Sequence, residues 1–214
     1  MTSVIKTKAE ILSEYGPFPG VDHVRGVTHD GRDAWIAAGD RLQAIAPDGA
    51  PGRSLAVRAE AGTAFDGRHL YQIAGGEIQK LDPATGRVVA VVPAPPNTDY
   101  AGLTWAEGAL WVAEHQGRRI HKLDPDTGRV LRTVQSDRMV TGVTFAEGEL
   151  WHGAVEGGQS AEIRRVDPGS GEVLESLVMP EGVSVSGLEY DGQGRFYAGG
   201  GRSGRLRVVR RPRR

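Results

Sequence analysis

The chain has 214 residues, a formal net charge of −1, 39% hydrophobic residues and no cysteine. That is enough apolar material for one core, and it leaves out a disulfide framework, a thiolate nucleophile and a thiolate metal site. No stretch reaches the ~18 consecutive apolar residues of a membrane span, and the start MTSVIKTKAEILSEYG lacks the apolar run of a secretory signal, so no membrane partner and a cytoplasmic location are expected.

Residues 1–25 read as one strand and a linker. From Gly26 onward the chain repeats itself: GVTHDGRDAWIAAGDRLQAIAPDG, GTAFDGRHLYQIAGGEIQKLDPATG, GLTWAEGALWVAEHQGRRIHKLDPDTG, GVTFAEGELWHGAVEGGQSAEIRRVDPGSG and GLEYDGQGRFYAGGGRSGRLRVVRR. The starts at Gly26, Gly62, Gly102, Gly142 and Gly187 lie 36 to 45 residues apart, the spacing of propeller blades. Each unit holds short alternating or β-rich runs split by Gly, Asp and Pro, with no window of helical spacing. Strand A is of the GLTW type, strand B of the ALWVA type and strand C of the RIHKLD type; a DPDTG turn then leads to strand D, RVLRTV or RVVAVV.

The expected fold is all-β, a five-bladed propeller of four-stranded antiparallel blades in a single domain spanning 1–214. The fifth copy stops after strand C, and SVIKTKAEILSEYGPFP reads like the missing strand D, so the N-terminal strand is expected to complete the last blade. Loss of Ser3 to Ile11 should then unfold the ring. The arginines from Arg202 to Arg214 read as a last strand and a solvated end; no aromatic residues interleave them as stacking platforms, which argues against a nucleic-acid partner.

The phrases GLTWAEGALWVAEHQGRRIHKLDPDTGRV and GVTFAEGELWHGAVEGGQSAEIRRVDPGSGEV resemble the blades of the glutamine cyclotransferase-like five-bladed propellers and, more loosely, the streptogramin B lyase and gluconolactonase-like propellers. The resemblance covers nearly the whole chain, but its motif specifies a blade and not a reaction. In the plant-type cyclotransferases an acidic residue follows the leucine-aromatic pair of strand B; here that column holds Ile36, Gln72, Val112, His152 and Ala198, so His152 would stand where the acid does. The lyases resemble this chain in placing His and Glu near the channel mouth with a divalent ion, though their Pro-His-Gly phrase is absent. The Glu, Asn and Asp cation site of the gluconolactonase-like families meets a chain with one asparagine, Asn97.

In a propeller the D to A and B to C loops share one face, and here they are the long, irregular ones, which is where a rigid repeat keeps its function. They carry Asp22, His23, Arg25, Asp99, Tyr100, Glu114, His115, Arg138, His152, Glu156 and Arg202. Acid-base chemistry is expected of His152, His23 and Glu114, and a divalent ion, if one is used, would be held by His23, His115 and His152. Substrate contacts are expected from Arg25, Tyr100, Asp99, Glu156, Trp111 and Trp151. Arg25 is one large cation in a column otherwise filled by Ala61, Ala101, Thr141 and Ser186, which suits an anion clamp or an ion pair with Asp22 or Asp99.

His29 shares a column with Phe65, Trp105, Phe145 and Tyr190 and reads as packing. His69 and His121 read as ordinary exposed positions. No phosphate loop, dinucleotide fingerprint or flavin motif is present. The expectation is an enzyme of lyase, cyclase or hydrolase type acting on a small molecule at the channel mouth, with a non-catalytic ligand- or protein-binding propeller as the alternative.

Overall fold

A computed structural model describes residues 4–157 and 159–213. Two strands precede the first repeat, β1 (Ile5–Lys8) and β2 (Ile11–Tyr15). The first blade is β3 (Gly26–His29), β4 (Ala34–Ala37), β5 (Leu42–Ile45) and β6 (Pro51–Leu55); the second is β7 (Thr63–Phe65), β8 (Leu70–Ala74), β9 (Glu77–Leu81) and β10 (Val88–Val92). The third is β11 (Tyr100–Ala106), β12 (Ala109–Glu114), β13 (Arg119–Leu123) and β14 (Val130–Gln135). The fourth is β15 (Met139–Ala146), β16 (Glu149–Val155), β17 (Glu162–Val166) and β18 (Val173–Val178), and the fifth opens with β19 (Leu188–Tyr190), β20 (Arg195–Gly199) and β21 (Leu206–Arg210). Each blade is an antiparallel sheet in chain order from its inner to its outer strand, and no helix long and apolar enough to cross a membrane occurs among the described residues.

The five start glycines form a ring. A Cβ on Gly26 would run into the Ala61 carbonyl and Gly62, and one on Gly62 would meet Ala101 and Leu103. One on Gly102 would meet Thr141 and Gly142, one on Gly142 would meet Gly187 and Leu188, and one on Gly187 would meet Gly26 and Val27. Each inner strand therefore lies backbone against backbone with the next, an approach that only a residue without a side chain permits.

Outside this ring, five apolar clusters fill the five gaps between blades, each built around one strand-B aromatic. Trp35 lies between blades 1 and 2, Tyr71 between 2 and 3, Trp111 between 3 and 4, Trp151 between 4 and 5, and Tyr197 between 5 and 1. The neighbouring strand-A column supplies the opposing ring: Tyr71 stacks on Trp105 at 5.7 Å, Trp111 meets Phe145 at 4.8 Å, and Tyr197 meets His29 at 5.4 Å. His29 is thus a packing residue. Trp111 and Trp151, expected to touch substrate, are 2% and 1% exposed, because alternation along strand B turns them into the blade interfaces.

The N-terminal segment completes the last blade, and β2 is the strand that does so: Ile11 pairs with Val209 and Tyr15 with Leu206, antiparallel to β21. Glu14 accepts from Arg205 and Arg207 at 2.6 Å each, and the Tyr15 hydroxyl donates to the Pro47 carbonyl of blade 1 at 2.8 Å. β1 instead lies parallel on β18 as a fifth, fully exposed strand of the fourth blade, with Lys6 reaching Glu162 at 3.4 Å. Removal of residues 1–8 should therefore leave a cooperative melt lowered by only a few degrees, whereas removal through Tyr15 should abolish it. Thermal unfolding followed by circular dichroism distinguishes the two, and equal melts for both truncations would show that β2 does not close the ring.

Candidate functional site

The residues just before the ring glycines, Arg25, Ala61, Ala101, Thr141 and Ser186, form the floor of an open cavity of about 340 Å³ at the channel mouth. Its wall is His23, Glu60, Thr98, Asp99, Tyr100 and His115. Five residues expected at a site, His23, Arg25, Asp99, Tyr100 and His115, are therefore brought together from the loop before blade 1 and from blade 3 and its leading loop.

Loop hydrogen bonds hold the wall. The amide of His115 donates to the Asp99 carbonyl at 3.0 Å, and the amide of Gly117 donates to the Asp99 carboxylate at 2.9 Å. His115 Nδ1 lies 2.7 Å from the Val140 carbonyl; a carbonyl only accepts, so Nδ1 carries a proton, and in the neutral ring Nε2 is the lone pair. Tyr100 donates its hydroxyl to the Pro95 carbonyl at 3.0 Å. Burial, followed by the guanidinium groups of Arg25 and Arg202, lowers the His23 pKa below its ordinary value, which favours the neutral ring near pH 7.

Glu60 is held below the usual carboxylate range by the Gly75 amide and by Arg58, whose Nε is 2.7 Å away. Arg25, by contrast, makes no hydrogen bond or ion pair among the described residues, so the pairing with Asp22 or Asp99 is not formed and its fork is open to the cavity. Thr141 Oγ1 is buried in the floor without a hydrogen-bond partner.

The other expected site residues, Asp22 and Arg202 among them, do not line this cavity. His152 is 1% exposed and sits on β16 between Val143 and Arg164, facing away from Trp151 and so toward blade 3. Its Nδ1 bonds the Gly153 carbonyl at 3.0 Å and burial lowers its pKa to about 4, so it is a neutral packing histidine set back from the mouth. Glu114 turns away from the cavity and accepts from Asn97, Arg119 and His121. Glu156 pairs with Arg118 at 3.3 Å, and Arg138 with Glu162 at 3.3 Å. With His152 enclosed, the ligand set His23, His115 and His152 is not assembled, and no group of three His, Asp or Glu residues is placed to hold a metal ion among the described residues. These residues do not fit a divalent site.

The terminal arginines are likewise committed: Arg205 and Arg207 to Glu14, Arg210 to Glu10, and Arg211 to Glu147 and Glu149.

One buried acid escaped notice in the sequence. Two residues past the ring, the inner strands carry Thr28, Ala64, Thr104, Thr144 and Glu189. Glu189 is the odd residue of that column, and its carboxyl accepts from Thr28 at 3.1 Å, from Thr104 at 3.3 Å and from Thr144, joining blade 5 to blades 1, 3 and 4. Burial pushes its pKa up to about 7 against the donors that favour the charged form.

No protein-family model matches the chain, and none of the curated proteins compared with it does. Solved structures do. The chain is similar to the glutaminyl cyclase of Myxococcus xanthus, with a TM-score of 0.78 and 19% identity over 97% of this chain and 98% of that one. It is also similar to virginiamycin B lyase from Staphylococcus aureus, with a TM-score of 0.53 and 18% identity over 92% of this chain and 69% of that one. The Neurospora crassa Pan2 WD40 domain matches at a TM-score of 0.53 and 11% identity, over 89% and 76%. At such identities the likeness establishes the fold, a five-bladed propeller of the glutaminyl cyclase shape.

Because the folded-state pKa of Glu189 lies near 7, above the ordinary 4.5, the folded state holds its proton more firmly. The stability this contributes is complete below pH 4.5 and is lost as pH rises through 7. Glu189→Gln should therefore be more stable than the parent at pH 8 by on the order of 2–3 kcal/mol, and matched to it at pH 4. Urea midpoints across that range test this; parallel profiles for the two proteins would refute it.

Proposed function

We propose that the mouth cavity is the active site of a small-molecule enzyme that moves a proton on a substrate carrying an anionic group, in a lyase, cyclase or hydrolase reaction. The observation that carries this reading is the tautomer of His115: with Nδ1 committed to Val140, Nε2 is a fixed acceptor on a residue that lines the cavity. Arg25 is the anion anchor, since an unpaired guanidinium offers a planar pair of donors. His23, kept neutral beside it, is the second proton-transfer group, and Asp99 and Tyr100 shape the wall.

The likeness to a cyclase and a lyase supports an enzyme, because both kinds of reaction move a proton on or off the substrate. A non-catalytic binding propeller is the second reading. It is favoured by the strand-B column Ile36, Gln72, Val112, His152 and Ala198, which contains no carboxylate.

A thermal-shift screen of small carboxylates, amides, lactones and amino acids, with turnover followed for each hit, tests the proposal. Arg25→Ala should weaken binding of a carboxylate ligand about 10–100-fold, equivalent to a charge-assisted pair. His115→Ala should retain the shift while turnover falls about 10²–10⁴-fold. Ligands bound equally well by Arg25→Ala would remove the anion anchor; ligands bound but never turned over would leave the binding reading.

A further inference from the structure

Glu114, His121 and Thr133 form a chain of side chains that the mouth cavity does not use. Their strands β12, β13 and β14 are adjacent, and the register sets His121 opposite both Val112 and Thr133, so the residues share one face of the third blade. His121 Nε2 is 3.1 Å from Glu114 Oε2, and His121 Nδ1 is 2.9 Å from Thr133 Oγ1.

The proton positions follow from what stands at each end. Burial alone would push Glu114 up, but the hydrogen bonds from His121, Asn97 and Arg119 together outweigh it and hold the carboxyl below its ordinary value. A carboxylate only accepts, so His121 donates from Nε2, and Nδ1 of the neutral ring is left to accept the Thr133 hydroxyl proton. That is the polarity in which a base draws a proton from a nucleophile while a third group orients the base.

Exposure is graded along the chain. The side chains of Glu114 and His121 are 12% and 16% exposed, whereas Thr133 lies open on the outer strand. Asn97 at 3.1 Å and Arg119 at 2.8 Å pin the carboxylate, so it cannot swing away from the imidazole.

We propose that Thr133 is an acyl acceptor for small activated esters, with His121 as its general base and Glu114 as the residue that positions His121. In the step, Thr133 Oγ bonds to the acyl carbon as the bond from that carbon to the leaving oxygen breaks. The electron pair departs with that oxygen, and the proton lost by Oγ passes to His121 Nδ1 and from there to the leaving group. The product is a threonyl ester on the outer face of the third blade, apart from the mouth cavity.

p-Nitrophenyl acetate on the full chain near neutral pH is the test, read as nitrophenolate release and by peptide mass mapping. Acetyl should appear on Thr133 well before the exposed Thr85 and Thr127. Thr133→Val, which keeps the β-branched shape and so the fold, should remove it, and Thr133→Ser should keep it. His121→Gln should slow the labelling about 10²-fold or more, and Glu114→Gln should slow it and displace its pH midpoint. Acetyl confined to lysines, Thr133 labelled no faster than Thr85, or equal labelling in His121→Gln would each overturn the proposal.

Discussion

Five glycines in backbone contact set the geometry of everything else in this molecule. Because Gly26, Gly62, Gly102, Gly142 and Gly187 each abut the next inner strand, the radius of the ring is fixed by main-chain van der Waals contact. One residue before the ring, the side chains point into a bowl; two residues after it, a carboxyl and three threonine hydroxyls fill the axis. The floor of a site on such a scaffold is as rigid as the backbone beneath it.

The distribution of cations separates structure from chemistry. On blade 4, Glu162 collects Arg164 and Ser176 of its own sheet and Arg138 of the loop leading into it; although burial raises its pKa, these partners together bring it down to about 2. Arg53 and Arg132 donate to the Pro83 and Pro168 carbonyls of the next blade's turn. Unlike these committed guanidinium groups, Arg25 in the bowl makes no hydrogen bond or ion pair among the described residues, and an exposed cation without such a partner is what an incoming anion can use.

What could be read from the sequence was whatever repeats. Glycine starts and strand-B aromatics recur from blade to blade, so fold and blade order were visible, as was the face on which His23, Arg25, Asp99, Tyr100 and His115 meet. The placement of His152 could not be read from the sequence, because its column lies within a strand, where neighbouring residues face opposite ways, and one step along β16 separates an interface with blade 5 from one with blade 3. Glu189 was in plain view as the one acid in a column of threonine and alanine, but a column on the inner strand reads as core until its contacts are known. The Glu114, His121 and Thr133 chain needs the cross-strand registers of β13 and β14, which no single-strand pattern contains.

The closing of the last blade by β2 has a consequence for how the chain reaches this state. Ile11 is made 198 residues before its partner Val209. At about 5–20 residues per second a ribosome takes roughly 10–40 s to span the gap, during which blades 1 to 4 can assemble in turn from neighbouring segments while β2 has no strand to join. Ring closure therefore follows the assembly of blades 1 to 4, joining β2 to a strand made long after it. Until it forms, both β2 and the outer edge of β21 are bare strand edges of the kind that chaperones cover and that neighbouring chains can capture.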